Sequence, residues 1–489
     1  MKNKNIIFYI LISIKIIFSE VFHLQKLQAK IKTLHRKHRS LDNSFLENVF
    51  GDTYNLYYYY ATLYLGPKKT PQTYILDTGS PTTTSPCSKC TSCGDHLNKP
   101  YELEEESDII SCKSDLCNLV QSNTCRSNQC SFSISYSEGS SLGGFFNLQN
   151  VSFEMINISP DSKSKSFKIP IGCTTTETHL FKTQLADGIM GLNNNPKSFI
   201  SLLYRREIIT KNLFSICFGK NDGYFSIGEI DTTFHKSKIE YIPLIPGENN
   251  YYINLKKIEI GNKNISIGYR SFIDSGTTIS YFPKDIFNSI FEEINSECKK
   301  NIENCSNFKY DSNMGYCKTF NTIEDKNKEV NEYWPDIIFY FEGHEYIWTS
   351  NQYSYDYGNN KIGACLGFEG EQASKITLGA TFMQDHDIIF DKQNHKIGFA
   401  IADCNRGLQN KDKENNKEEI NIALKEEEKN TSLTNENNKM NKIILYILKF
   451  LIIILLLLIF WLVVLLCKII SRRNNHSSQV DEITNSEAN

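Results

Sequence analysis

One pattern occurs twice in this chain. Gln72-Thr-Tyr-Ile-Leu-Asp77-Thr-Gly-Ser80 is an apolar, β-prone run that ends in an acidic turn closed by Gly79, and Arg270-Ser-Phe-Ile-Asp274-Ser-Gly-Thr-Thr278 repeats it 197 positions later. Each copy reads as a strand running into a tight turn. Each is followed downstream by apolar residues and a glycine, Ala186-Asp-Gly-Ile-Met-Gly191 after the first and Ile376-Thr-Leu-Gly379 after the second. A lone Asp-x-Gly is ordinary turn chemistry, because Asp bonds its own backbone and Gly accepts unusual dihedrals. Two copies with matching flanks imply instead two related half-domains, each presenting one Asp turn.

Alternating apolar residues recur at 57–65, 131–136, 225–230, 251–260, 336–341 and 388–390, whereas helical periodicity is confined to pieces such as 198–206 and 284–299. The chain is therefore mostly β. With 40% hydrophobic and 12% aromatic residues in 489 it has apolar material for one large bilobal domain or two ordinary ones. Its 53 Lys+Arg against 56 Asp+Glu give a formal charge of -3, which supplies no positive field for binding nucleic acid through its phosphates.

The ends carry targeting signals. Residues 1–20 open with Lys2 and Lys4, continue through the apolar run Ile6 to Phe18 and reach the small residue Ser19, the layout of a signal peptide. A retained N-terminal anchor is the alternative, although Lys15 cuts the apolar run short. Phe450 to Cys467 is an uncharged apolar run, extendable back to Ile443, and reads as a membrane-spanning helix at 443–467. Lys468, Arg472 and Arg473 follow it, so 468–489 is expected in the cytosol and the rest outside it, a type I arrangement. A GPI signal would end in its hydrophobic tail, and here a polar tail follows. Residues 406–442 turn to Lys, Glu and Asn and read as a stalk, which as a coil holds the folded part on the order of 35 Å from the membrane. This leaves 21–45 as a short pro-segment, 46–240 as an N-terminal β lobe and 241–405 as a C-terminal β lobe.

The two Asp turns, the two apolar-Gly segments, a Tyr with glycines at 136–146, and the closing Ile388-Ile-Phe-Asp391 with Ile397-Gly-Phe-Ala400 together resemble the pepsin-like aspartic proteases. That resemblance covers roughly 50–404 and implies two β lobes meeting at a central cleft. It implies that Asp77 and Asp274 share one proton and activate water against a peptide carbonyl, with no metal or cofactor. It further implies that Thr78 and Ser275 brace the turns, that Ser80 and Thr277 bond the outer carboxylate oxygens, and that Gly79 and Gly276 admit close backbone approach. Ser133 to Phe146 falls where the family carries a substrate-covering hairpin, with Tyr136 as its tyrosine and Gly139 at the turn.

Glu138 sharpens the likeness toward the plasmepsin V type of apicomplexan parasites, membrane-anchored proteases of the endoplasmic reticulum that cut exported proteins after the leucine of Arg-x-Leu. In that subgroup a flap glutamate and a glutamine hold the substrate arginine, and Glu138 and Gln184 match them; a carboxylate with an amide oxygen suits a guanidinium better than an ammonium. Three features depart from the pattern: Ser137 replaces a flap cysteine, Pro81 follows Ser80, and the usual Trp ahead of the flap is missing. A broader processing protease or ectodomain sheddase is the alternative among enzymes, and an inactive pepsin-fold binding module the alternative outside them. The expected partners are polypeptide substrates and the membrane, with a monomer as the working expectation.

Fifteen cysteines in a secreted chain favour disulfides. Seven lie at 87–130 (Cys87, Cys90, Cys93, Cys112, Cys117, Cys125 and Cys130), and Cys173, Cys217, Cys298, Cys305, Cys317, Cys365 and Cys404 follow. Zinc binding by the CxxC spacing is the competing reading. Cys467 lies in the apolar run, so an even number remains outside it. The resemblance implies the pairs Cys317 with Cys365 and Cys217 with Cys404, while the pairing within the insert is left open by the sequence. Asn150, Asn157, Asn264, Asn304 and Asn430 fit the glycosylation pattern.

Overall fold

The computed structural model describes residues 44–405 apart from 137, 154–165, 304, 306 and 358–360. The segments read as signal peptide, as stalk and as tail, nearly all of the one read as pro-segment, and the apolar run 443–467 lie outside the described residues, as do Ser137, Asn157, Asn304 and Asn430. Among the described residues no helix is long and apolar enough to cross a membrane.

The fold is mostly β, with, among the described residues, one fourteen-stranded sheet, one of five strands and two of four. In the large sheet Thr70–Asp77 runs antiparallel to Tyr58–Leu65 and parallel to Gly188–Gly191, with Asp77 opposite Gly191. Beyond Gly188–Gly191 come Thr84–Pro86 and then Ser166–Glu177. The five-stranded sheet repeats this order. Arg270–Ile273 lies antiparallel to Tyr251–Ile253 and parallel to Lys375–Leu378, followed by Ser280–Pro283 and Phe368–Glu371. The duplication seen as a repeated motif is thus a duplication of five strands.

The halves are stitched by Phe45–Asp52, Asp222–Ile227, Leu213–Phe218, His386–Asp391, Lys396–Ile401 and Glu240–Pro243, which are in that order consecutive antiparallel neighbours in the large sheet. Stacked rings seal this seam, Tyr59 on Phe218 at 4.0 Å and Phe214 on Phe390 at 4.7 Å between centroids. Helix Lys284–Lys299 buries Ile286, Ile290, Ile294 and Cys298, spaced by four residues, with Phe287 beside them, so one face closes over the five-stranded sheet while the other meets water.

The first described strand begins at Phe45, paired with Ile227. The observed elements differ from the sequence reading at two places. The run at 225–230 is the strand Asp222–Ile227, stopped by Gly228 at φ +78°. The run at 251–260 is two strands, Tyr251–Ile253 and Leu255–Ile260, which enter different sheets.

All fourteen described cysteines are paired: Cys87–Cys173, Cys90–Cys93, Cys112–Cys125, Cys117–Cys130, Cys217–Cys404, Cys298–Cys305 and Cys317–Cys365. The CxxC thiols are thus spent on bridges rather than held free for zinc. The one His/Cys/Asp/Glu group of metal-binding spacing among the described residues contains the bonded pair Cys298 and Cys305 with Glu329, so its sulfurs are no thiolate ligands either.

Candidate active site

Both Asp turns leave the ends of buried strands and meet. The Thr78 amide donates to Ser275 Oγ at 3.0 Å and the Ser275 amide to Thr78 Oγ1 at 2.8 Å. Each hydroxyl then donates across to the strand that feeds the other turn, Thr78 Oγ1 to the Ile273 carbonyl at 3.2 Å and Ser275 Oγ to the Leu76 carbonyl at 2.7 Å. Thr78 and Ser275 are almost wholly buried, so these four bonds satisfy groups that water does not reach.

Within each turn the carboxyl is held by its own residues. Gly79 N–H donates to Asp77 Oδ1 at 2.8 Å and Ser80 Oγ donates to Asp77 Oδ2; Gly276 N–H donates to Asp274 Oδ1 at 3.0 Å and Thr277 Oγ1 to Asp274 Oδ2 at 2.8 Å. The glycines are needed because each faces the opposite carboxyl. A Cβ on Gly79 would lie 2.7 Å from both Asp274 oxygens, and one on Gly276 would lie 2.4 Å from Asp77 Oδ1. The backbone can approach only where no side chain intervenes.

Burial pushes the Asp77 carboxyl above the ordinary carboxylate range, and the adjacent Asp274 charge raises it further, against the opposing bonds from Ser80 and Gly79. Burial likewise raises Asp274, with Thr277 and Gly276 pulling the other way. Two carboxyls this close cannot both ionise cheaply and hold one proton between them across a wide pH range.

Over the Asp77 side hangs a hairpin of Gln129–Ser135 and Ser141–Phe153. Tyr136 N–H bonds the Ser140 carbonyl at 2.9 Å and Gly139, at φ +96°, makes the bend. The Tyr136 ring packs on Phe181 at 5.0 Å; its hydroxyl is enclosed beside Ser80 and Asp77 yet has no hydrogen bond of good geometry. Burial, then the Asp77 charge, raises that phenol far above its ordinary range.

Glu138 stands exposed at the hairpin bend. Gln184 follows the short helical turn His179–Lys182, which is tied to the hairpin base by Leu180 N–H to Ser140 Oγ at 3.2 Å. The two residues therefore sit on neighbouring elements. Their side chains make no mutual bond among the described residues, because Gln184 Nε2 turns back to the Ala186 carbonyl at 3.4 Å.

Three further buried polar groups are not singled out by the sequence pattern. Asp187, inside the Ala-Asp-Gly segment, accepts from the Thr73 amide and hydroxyl and from the Asn98 amide and side chain at 2.6–2.7 Å; burial raises it and these bonds oppose. His96 bonds Glu177 at 2.9 Å and the Gln184 carbonyl at 3.1 Å. Burial pushes its imidazole down, but the Glu177 contact carries it above the ordinary value. Lys392 donates to the Asn193 and Asn195 carbonyls and to Ser198 Oγ at 2.6–3.1 Å, and burial pushes it down to about 7. Only Asp187 had a signal, its place in the repeated apolar-Gly segment; the others are joined by contacts between distant stretches.

A bilobal β fold that clamps two aspartyl turns together, with one proton to share, defines a hydrolase that activates water by paired carboxyls. The family model for eukaryotic aspartyl protease matches residues 58–402, and the chain belongs to that family and is an aspartic endopeptidase. It is similar to plasmepsin V of Plasmodium falciparum, 25% identical over 442 residues covering 74% of this chain and 73% of the relative. It is also similar to aspartic proteinase 36 of Arabidopsis thaliana, 27% identical over 385 residues covering 72% and 76%. Aspartic proteinase nepenthesin-1 of Nepenthes gracilis is 25% identical over 374 residues, covering 71% and 78%.

Proposed function

We propose that Asp77 and Asp274 are the catalytic pair of a membrane-anchored endopeptidase that cuts secretory-pathway proteins after the leucine of an Arg-x-Leu motif in the endoplasmic reticulum. The observation that carries the catalytic part is the crossed hydrogen-bonding of Thr78 and Ser275, with each turn glycine facing the other turn's carboxyl.

In this reading a water between the carboxyls attacks the scissile carbonyl carbon. The ionised carboxyl takes one water proton as the new C–O bond forms, and the protonated carboxyl hydrogen-bonds the carbonyl oxygen. Collapse of the tetrahedral adduct breaks the C–N bond while the leaving nitrogen receives the proton taken from water. One acid and one amine leave, and the pair again holds a single proton. Tyr136 and its hairpin cover the substrate and exclude bulk water.

The specificity part is supported by the similarity to plasmepsin V and by the neighbouring placement of Glu138 and Gln184. The anchoring part is supported by the apolar run 443–467 and the basic residues after it. A broader processing role is favoured by one observation, the Gln184 amide folded onto Ala186. Full-length protein in detergent, assayed on matched peptides with Arg-x-Leu, Lys-x-Leu and Ala-x-Leu, separates these. A strong Arg preference with cutting after Leu, lost in Glu138→Ala, is the expected result. Equal cutting of all three would leave the broader protease.

A further inference from the structure

The loop that carries the Cys90–Cys93 bridge packs against the segment bearing Gln184. A Cβ on Gly94 would lie 2.1 Å from the Lys182 carbonyl oxygen, Lys182 Nζ donates to Ser92 Oγ at 2.8 Å, and Leu97 N–H donates to the Leu185 carbonyl at 2.8 Å. The same loop meets the hairpin. Glu177 N–H donates to the Ser92 carbonyl at 3.0 Å, and Glu177 stands opposite Leu142 in the pairing of Ser141–Phe153 with Ser166–Glu177. Three elements converge here, and His96 lies at their junction.

The His96 and Glu177 side chains are 3% and 2% exposed. His96 Nδ1 lies 3.1 Å from the Gln184 carbonyl oxygen and Nε2 lies 2.9 Å from Glu177 Oε2, which also accepts from Gly94 N–H at 2.8 Å. A carbonyl oxygen can only accept, and a neutral imidazole has one N–H to give. For both contacts to be hydrogen bonds, a further proton must lie on His96 or between it and Glu177. Burial opposes the imidazolium, and the bond to Glu177 with its charge outweighs burial; Asp187 adds a weaker attraction. Of the other ionisable groups around it, Lys182 bonds Ser92, Tyr58 Oη accepts from the Leu185 and Ala186 amides, and Asp95 and His179 are exposed.

When that proton leaves, the remaining N–H goes to the carboxylate, the stronger acceptor. Bare Nδ1 then faces the Gln184 carbonyl, lone pair against lone pair, and the contact turns repulsive. We propose that His96 is a positioning residue, a proton-dependent clamp that holds the Gln184–Leu185 backbone to the hairpin base through Glu177 and releases it when the proton is lost. This deepens, and rests on, the reading of Gln184 as one wall of an arginine pocket. The closed clamp fixes the backbone that carries Gln184 to the hairpin that carries Glu138.

Two readouts on full-length protein in detergent test the clamp between about pH 5.5 and 9, the range around a histidine's titration. One is hydrogen exchange of the 92–97 and 179–186 stretches, corrected for the intrinsic pH dependence of exchange. The other is kcat and KM on Arg-x-Leu and Ala-x-Leu peptides, whose ratio cancels the titration of Asp77 and Asp274. Wild type should lose protection in both stretches at a midpoint above the ordinary imidazole value of 6.5. Its Arg preference should fall at the same midpoint, through KM, on the order of 10-fold for one buried hydrogen bond. His96→Gln cannot titrate and should show neither step. Glu177→Gln keeps an acceptor but removes the charge, and should move both steps to lower pH; this variant and wild type decide the matter even if His96→Gln does not fold. A flat protection profile in wild type, or steps that stay in place in either variant, would overturn the clamp. A protection step with a pH-independent Arg preference would overturn the positioning role. A protection step in a wild type that never prefers Arg would uphold the clamp and strike the arginine pocket instead.

Discussion

Around Asp77 the strand order is Tyr58–Leu65, Thr70–Asp77, Gly188–Gly191, Thr84–Pro86 and Ser166–Glu177, and around Asp274 the equivalent five strands recur in the same order and sense. The hydrogen bonds inside the two turns match one for one. What surrounds them does not. The first turn lies under the hairpin bearing Tyr136, and Asp77 is 4% exposed, whereas Asp274 is half-buried and Lys375 lowers its carboxyl slightly through its charge. The matched part is what a shared proton needs, two equivalent acceptors. The unmatched part is what a peptide needs, because a substrate chain has direction and the enzyme must grip its two ends differently.

The largest expected effect breaks the matched part. Asp77→Asn and Asp274→Asn keep size and shape but remove one acid or base, so each should lower kcat/KM on the order of 10³-fold or more, with unchanged far-UV circular dichroism. Substantial turnover in either variant would end the equivalence of the two turns.

A smaller effect tests the brace. Thr78→Val leaves the Ser275 amide and the Ile273 carbonyl without their partner, and Ser275→Ala does the same to the Thr78 amide and the Leu76 carbonyl. Each orphaned buried group costs about 1–3 kcal/mol, so the two variants should lose similar stability in urea unfolding. The double variant should lose less than the sum, because both substitutions dismantle one network. Strict additivity would mean that the turns are held independently.

Much of this was readable in the chain because it is local. A strand ending in Asp-Thr-Gly or Asp-Ser-Gly carries its own turn chemistry, and its repetition implied the two halves. Helix 284–299 was readable from its four-residue apolar spacing, and its described bounds are the same. The stitching of Phe45–Asp52 to Asp222–Ile227 was not, since strand pairing between distant stretches leaves no periodic mark in either. His96 with Glu177 and Lys392 with Asn193 are likewise contacts of the finished fold. The pairing of the insert cysteines, Cys112 with Cys125 and Cys117 with Cys130, was one of many that seven closely spaced cysteines permit.

The smallest effect lies in the pH dependence of stability, and it can tell the two carboxyls apart. In the unfolded chain both titrate near the ordinary Asp value of 3.8, while in the fold both are raised, first by burial. The native state therefore keeps a proton that the unfolded state has released, and the associated stability is fully present below the unfolded value and lost as pH rises through the folded one. Asp77→Asn and Asp274→Asn each remove one titrating group and relieve the other of its charged neighbour. Between about pH 4 and 7.5 each variant should lose less stability than wild type, because each lacks one of the raised carboxyls. Other raised carboxyls, such as Asp187 and Asp387, are shared by all three proteins and cancel in the difference. Parallel unfolding curves would mean that no proton is held by the pair. If one variant flattens the curve more, that carboxyl carries more of the shared proton, and the matched turns are then unequal in charge as well as in surroundings.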